Sequence, residues 1–193
     1  MKENYLQWLW LGVSRPRDFF AGFPSEPRLA LALKPALVAV LLGATMFGWA
    51  IARGTSSDSV IAVMLLVLPG ALLYAATLWL LGGMALARTA RIGEHGWEIA
   101  AWAWVPAGYL ALILLPVVAV FPVTSLATGM LGLPFWHLYV VHAGLGRFAP
   151  ARARRALVVY VVVVLAVPLT LLATLAGLIL WSEASVVTFV PPR

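Results

Sequence analysis

The sequence predicts an all-α fold: a polytopic membrane protein built as a bundle of five transmembrane helices, with a short interfacial segment on the cytoplasmic side at its amino terminus. Three observations carry this prediction. The 193-residue chain is 63% hydrophobic and only 10% charged, and its mean hydropathy of +0.99 leaves too little polar surface to cover a water-soluble globule. Five long apolar runs contain no Asp, Glu, Lys or Arg. The Lys and Arg residues fall almost entirely on alternate connectors between those runs.

The five apolar runs are long enough to be membrane-spanning helices. About 20 apolar residues cross a ~30 Å hydrocarbon core as an α-helix, because helical hydrogen bonds satisfy the backbone where water is absent. The first run is the shortest, and the apolar residues that precede Lys34 allow its helix to begin earlier. The predicted transmembrane domain, residues 35–181, contains spans at 35–52, 60–87, 99–121, 123–145 and 156–181.

Prolines predict bends in several of these spans. Pro69-Gly70 offers a kink in the second span, since the proline ring removes one helical hydrogen bond and glycine adds backbone freedom. Pro106, Pro116 and Pro168 offer the same in later spans. The short connector at 121–124 has just enough polar character to turn a helical hairpin, so the third and fourth spans are predicted to be antiparallel neighbours.

The two ends of the chain lie outside the predicted bundle. Residues 1–34 form the amino-terminal segment, and residues 182–193 form an extracytoplasmic tail. Tyr5, Trp8 and Trp10 favour the membrane interface, where an amphipathic ring is half buried and its polar atom reaches water. Two interpretations of this stretch stay open: a short interfacial helix, or a frayed, partly ordered terminus.

Charge predicts the orientation. All of the 13 Lys and Arg residues except Arg53 and Arg193 lie before the first span, between the second and third, or between the fourth and fifth. Basic loops resist translocation and find anionic lipid on the cytoplasmic face, so the amino terminus is predicted to be cytoplasmic and the carboxyl terminus extracytoplasmic. The cations flank spans and form no separate basic domain, so the net charge of +6 does not indicate nucleic-acid binding. The predicted location is the cell membrane.

His137 and His142 are the ionisable side chains within the predicted spans, which makes them a candidate intramembrane polar site. Their spacing argues against a shared site, because five positions on an α-helix turn the second side chain about 140° from the first. Neutral histidines that donate to a nearby backbone carbonyl explain both residues without a function.

Catalysis and metal binding find little support in the residues. All seven acids lie outside the predicted spans, and the chain has no cysteine, which excludes disulfides and thiolate chemistry. His95, Glu94 and Glu98 share one connector, but Glu98 is explained more simply as an anion in the first turn of the third span. We therefore predict no enzyme activity, no metal and no cofactor.

Four cytoplasmic arginines are candidate contacts for membrane lipids or a partner protein, because a cation near anionic headgroups gains about 1 kcal/mol. Ordinary topology-setting charge is the alternative. The four residues are Arg147, Arg152, Arg154 and Arg155.

Small residues four positions apart predict faces for close helix packing, either within the bundle or between copies in a homo-oligomer. The pairs are Ala39 with Gly43, Gly83 with Ala87, and Ala173 with Gly177.

Together with the predicted spans, a series of motifs between Pro16 and Thr174 resembles the Yip domain family, the Ypt-interacting proteins, in its short prokaryotic form. The motifs are Pro16-Arg17-Asp18-Phe19-Phe20, Glu26-Pro27-Arg28-Leu29, Trp104-Val105-Pro106, Trp136, Gly144-Leu145-Gly146-Arg147 and Arg155-Ala156.

This resemblance implies five spans, a cytoplasmic amino terminus and a non-enzymatic role as a scaffold or adaptor in membrane organisation or trafficking. Eukaryotic members bind prenylated small GTPases, but their Asp-Leu-Tyr-Gly-Pro type signature is absent from this sequence, so GTPase binding is not carried over. The alternative is a transporter or permease subunit with a path along the proline-kinked second and third spans. A polar cavity that reaches His137 would favour it.

Overall fold

A computed structural model describes residues 5–23, 25–54, 60–120, 122–166, 170 and 174. Every regular element within these ranges is helical, which confirms the all-α prediction. The helices are α1 (Tyr5–Ser14), α2 (Pro16–Ala21), α3 (Leu29–Gly54), α4 (Val60–Thr89), α5 (Glu94–Trp102), α6 (Val105–Val120), α7 (Pro122–Phe148) and α8 (153–166), with a 3₁₀ turn at Pro150–Arg152 before α8.

The boundaries of α3, α4 and α7 follow the predicted first, second and fourth spans closely. The helix α3 begins before the predicted start at Pro35, as the preceding apolar residues allowed, and it carries that proline in its interior. Pro69 and Pro134 lie inside α4 and α7 in the same way. Most of the predicted fifth span beyond residue 166, and the whole predicted tail at 182–193, lie outside the described residues.

The third predicted span is not one continuous helix. It is divided into α5 and α6 by a turn at Ala103 and Trp104, just before Pro106. A proline has no N–H to continue the helical ladder, and the backbone tightens around it: the Trp104 N–H donates to the carbonyl of Ala101, and the Ala107 N–H donates to that of Trp104. The bend expected at this proline is therefore a break between two helices.

Two of the three predicted small-residue pairs are confirmed as packing faces. A Cβ added at Gly108 of α6 would lie 2.8 Å from the Cα of Ala39, so α3 and α6 approach backbone to backbone. A Cβ added at Gly96 of α5 would lie 2.5 Å from the nitrogen of Ala87, so α4 and α5 do the same. The third pair, at 173 and 177, lies outside the described residues.

The amino-terminal segment is helical over Tyr5–Ser14 and Pro16–Ala21, and its described side chains from Val13 onward pack against the bundle. Val13, Phe19 and Phe20 are almost fully buried. The indole N–H of Trp136 on α7 donates to the carbonyl of Val13 at 2.9 Å, which ties α1 to the bundle. Trp136 is thus part of a packed interface between α7 and α1.

By length and composition, two helices of the described chain could cross a membrane, Leu29–Ala52 and Val67–Thr89. Large apolar side chains also face outward, including Leu73 on α4, Phe135 on α7 and Val162 on α8. A water-soluble surface rarely exposes so much apolar area, and a lipid-facing surface requires it.

Candidate functional site

An aromatic cluster places α2 against the end of α7. The Phe19 and Trp102 rings lie 4.7 Å apart in an edge-to-face arrangement, and the Phe20 and Phe148 rings lie 6.4 Å apart. Phe23 packs against both Trp102 and Phe148. Edge-to-face pairs of this kind add about 0.5–1.5 kcal/mol each beyond the burial of their area. The cluster therefore holds the polar face of α2 at a defined position beside α7.

A buried carboxylate fastens the chain between α2 and α3. Glu98 is only 1% exposed and accepts a hydrogen bond from the backbone N–H of Arg28 at 3.1 Å. The His95 ring lies with Nδ1 3.0 Å from the second carboxylate oxygen of Glu98, and its Nε2–H donates to the carbonyl of Ser25 at 2.9 Å. The same ring stacks on Phe148 at 4.1 Å. One polar centre thus joins residues 25–28 to α5 and α7.

The geometry of this centre requires a shared proton. A carbonyl oxygen can only accept, so Nε2 of His95 carries a proton toward Ser25. The bond between Nδ1 and Glu98 then needs one more proton, either on the ring or on the carboxyl group. The interpretation of Glu98 as a first-turn anion is therefore wrong, because it lies inside α5 and is bonded on both oxygens.

No group of three potential metal ligands occurs in the described part of the chain.

A basic cavity of about 340 Å³ lies between α2 and α7. Its cationic and hydrogen-bonding groups are Arg17 on α2 and His142 and Arg147 on α7, all three exposed. Its remaining walls are the small residues Ala21, Ala143 and Gly146. Among the residues that the structure describes, neither guanidinium has a carboxylate oxygen within 4.0 Å. The cavity is thus a volume bordered by uncompensated positive charge. We call it the basic cavity.

Only Arg147 of the four predicted arginines lines the basic cavity. Arg152 donates from Nη1 to the carbonyl of Ala90 at 3.3 Å, so it supports the connector that follows α4. Arg154 and Arg155 lie exposed in the first turn of α8. Arg17 was not among the predicted contacts. Its position one turn before Ala21 on a short helix gave no hint that this helix would dock beside α7.

The two predicted histidines are separated, as their spacing required. His137 is 5% exposed, and its Nε2 lies 2.5 Å from the hydroxyl of Tyr160 on α8. His137 is thus bonded inside the bundle, while the exposed His142 lines the basic cavity.

A larger cavity of about 500 Å³ lies between α3, α4 and α6. Its walls include Gly43, Gly70 and Ala107, and nearly all of its lining is apolar. Tyr74 and Trp104 are among its wall residues, and their rings contact each other edge to face at 6.4 Å.

The chain matches no protein-family model, no curated protein and no solved structure in the comparisons made with them.

Proposed function

We propose that this chain is an integral membrane protein of five spans and Yip-like topology that acts as a non-enzymatic scaffold or adaptor at the cytoplasmic face of the cell membrane. Its partners in this proposal are anionic lipids and, through them or beside them, another protein. The observation that carries the proposal is the group of exposed arginines where α7 ends and α8 begins, none of which has a carboxylate within 4.0 Å in the described part of the chain. Such cations attract anionic headgroups, each contributing about 1 kcal/mol near the surface.

The apolar exterior supports the membrane part of the proposal. Leu65 and Leu73 on α4 are 71% and 72% exposed, and Phe135 on α7 is 75% exposed. Burying such side chains in lipid is favourable, whereas exposing them to water costs about 25 cal/mol per Å². The positive-inside pattern supports the proposed orientation, with the basic end of α7 in the cytoplasm.

The alternative, a transporter or permease subunit, has less support. The cavity that reaches Gly70 is lined by apolar side chains and presents few groups that could replace the water around a polar solute. His137 is engaged with the hydroxyl of Tyr160. These described residues therefore do not favour a polar path along α4 and α6.

The proposal is tested by removing charge from the face that it names. The test variant changes four residues to glutamine: Arg147, Arg152, Arg154 and Arg155. The matched control removes the same charge from the same predicted side of the membrane by changing Arg15, Arg28, Arg88 and Arg91.

Both variants are purified in mild detergent, and the anionic lipids and proteins that accompany them are identified by mass spectrometry. We expect the test variant to lose both kinds of partner and the control to keep them. Equal retention in the two variants, with unchanged topology, would show that these arginines bind neither the anionic lipid nor the partner protein.

A further inference from the structure

We propose that the basic cavity between α2 and α7 is a binding site for the phosphate group of an anionic phospholipid. This deepens the proposed function and rests on it for one point, the location of the carboxyl-terminal end of α7 at the cytoplasmic membrane surface. The site itself follows from three features: the donor set, the space between the donors, and the surface that leads away from them.

The donors suit a phosphate. Arg17 reaches the basic cavity from α2, while His142 and Arg147 reach it from α7. Guanidinium groups present a planar fork of N–H donors that matches phosphate oxygens, and the imidazole adds a further N–H. Placing Arg147 in the last turn of α7 complements the helix dipole, but that effect does not account for the other two groups.

A glycine with no packing role lines the cavity beside the donors. A Cβ at Gly146, in the last turn of α7, would meet nothing within 4 Å. Gly144, two residues earlier, differs: a Cβ there would approach the side chain of Ile99 at 2.8 Å. Close packing explains Gly144, whereas Gly146 lines a cavity of about 340 Å³ beside two guanidinium groups. That volume falls within the usual range of small-ligand sites.

The surface of α7 below the basic cavity favours a lipid over a soluble phosphate. Phe135, Tyr139, His142 and Gly146 are spaced by four, three and four residues, so they form one stripe along the helix, and all four are exposed. Phe135 is 75% exposed and Tyr139 is 41% exposed. The stripe from Gly146 to Phe135 is about 16 Å long, close to the thickness of one leaflet of a ~30 Å hydrocarbon core. A phosphate in the basic cavity therefore leaves an acyl chain lying along exposed aromatic side chains.

The test compares lipid retention in nanodiscs of phosphatidylcholine that contain a minor fraction of phosphatidylglycerol. Native mass spectrometry counts the phosphatidylglycerol that stays bound after release from the disc. Gly146→Leu adds a bulky side chain at the wall of the basic cavity, where a Cβ would meet nothing within 4 Å, and Arg17→Gln removes one donor from an exposed position where folding is not at stake. Asp18→Asn and Arg15→Gln are the controls, since each changes a neighbouring charge that does not line the cavity.

We expect the unmodified chain to retain one phosphatidylglycerol in preference to phosphatidylcholine. Arg17→Gln should weaken that retention about fivefold, the factor that corresponds to ~1 kcal/mol of headgroup attraction. Gly146→Leu should abolish it, and the two controls should change it by less than about twofold. Retention that survives both Gly146→Leu and Arg17→Gln would overturn the proposal.

Two further comparisons are made. The first distinguishes a failure of this site from a failure of the proposed function, and the second distinguishes a bound phospholipid from a soluble phosphate. If Arg17→Gln and Gly146→Leu retain the lipid while the four-arginine variant loses it, the site is wrong and the proposed function stands. Inorganic phosphate is titrated against the chain in nanodiscs of phosphatidylcholine alone. Tight phosphate binding there, lost in Arg17→Gln, would replace the phospholipid by a free phosphate and refute the lipid assignment.

Discussion

Replacing Glu98 by alanine should release the chain segment between α2 and α3 from the bundle. The carboxyl group is 1% exposed and makes two hydrogen bonds, one accepted from the Arg28 N–H at 3.1 Å and one with Nδ1 of His95 at 3.0 Å. In Glu98→Ala the Arg28 N–H and the His95 ring both lose this partner, and nothing in the substituted side chain can replace it.

The expected loss is about 3 kcal/mol. A buried donor left unsatisfied costs about 1–3 kcal/mol, and removing one member of a buried pair costs about 3–5 kcal/mol. The lower end applies here because the His95 side chain is 14% exposed and can recruit water. For a chain of this length each kcal/mol shifts the unfolding midpoint by about 2–4 °C, so Glu98→Ala should lower it by roughly 6–12 °C.

Two matched variants sharpen the measurement. Glu94→Ala removes an exposed acid from the first turn of the same helix and should cost only about 0.3–1 kcal/mol through the helix dipole. Glu98→Gln keeps an oxygen for Arg28 and can donate from its amide to Nδ1 of a neutral His95, so it should cost less than Glu98→Ala.

The assays are thermal unfolding in detergent, followed by tryptophan fluorescence, and the rate of trypsin cleavage after Arg28. Cleavage should accelerate in Glu98→Ala, since this peptide bond follows a residue whose N–H is held by the carboxylate. If Glu98→Ala and Glu94→Ala unfold at the same temperature and are cleaved at the same rate, the argument for a structural centre at Glu98 is refuted.

Three further predictions follow from the packing and from the topology. Gly96→Ala should destabilise the chain by about 1–3 kcal/mol, because the added Cβ would lie 2.5 Å from a backbone nitrogen of α4. Gly70→Ala is the control: its added Cβ would meet nothing within 4 Å, so it should be neutral or slightly stabilising in the same unfolding assay. Tyr160→Phe should cost about 1–3 kcal/mol by leaving buried His137 without its hydroxyl partner, and Tyr139→Phe, at an exposed position, should change the midpoint little. Tags fused to the two chain ends should be accessible from opposite sides of the membrane, and labelling of both from one side would rule out five spans.

Local sequence features were sufficient to predict most of the helices. Hydrophobic length predicted α4 to within a few residues, and Pro106 predicted the irregularity that divides α5 from α6. Small residues four apart predicted the close faces at Ala39 and Gly83. Each of these features depends on the residue itself and on neighbours within about one helical turn, so no knowledge of the fold was needed.

The candidate site could not be read from sequence in the same way. Arg17 and Arg147 lie 130 positions apart and meet only because the phenylalanines of α2 bury themselves against α5 and α7. Glu98 had the sequence environment of an exposed first-turn acid, and it is buried because residues 25–28 fold back over it.

The order of residues along the chain therefore specified which segments are helical, how apolar they are and where proline interrupts them, since these properties arise from short-range sterics and from composition. Which polar groups ended up buried, and which cations were left together without a counter-charge, depended on how α2 docks against α5 and α7. Docking brings distant residues together through the burial of aromatic surface, an effect that no local pattern records.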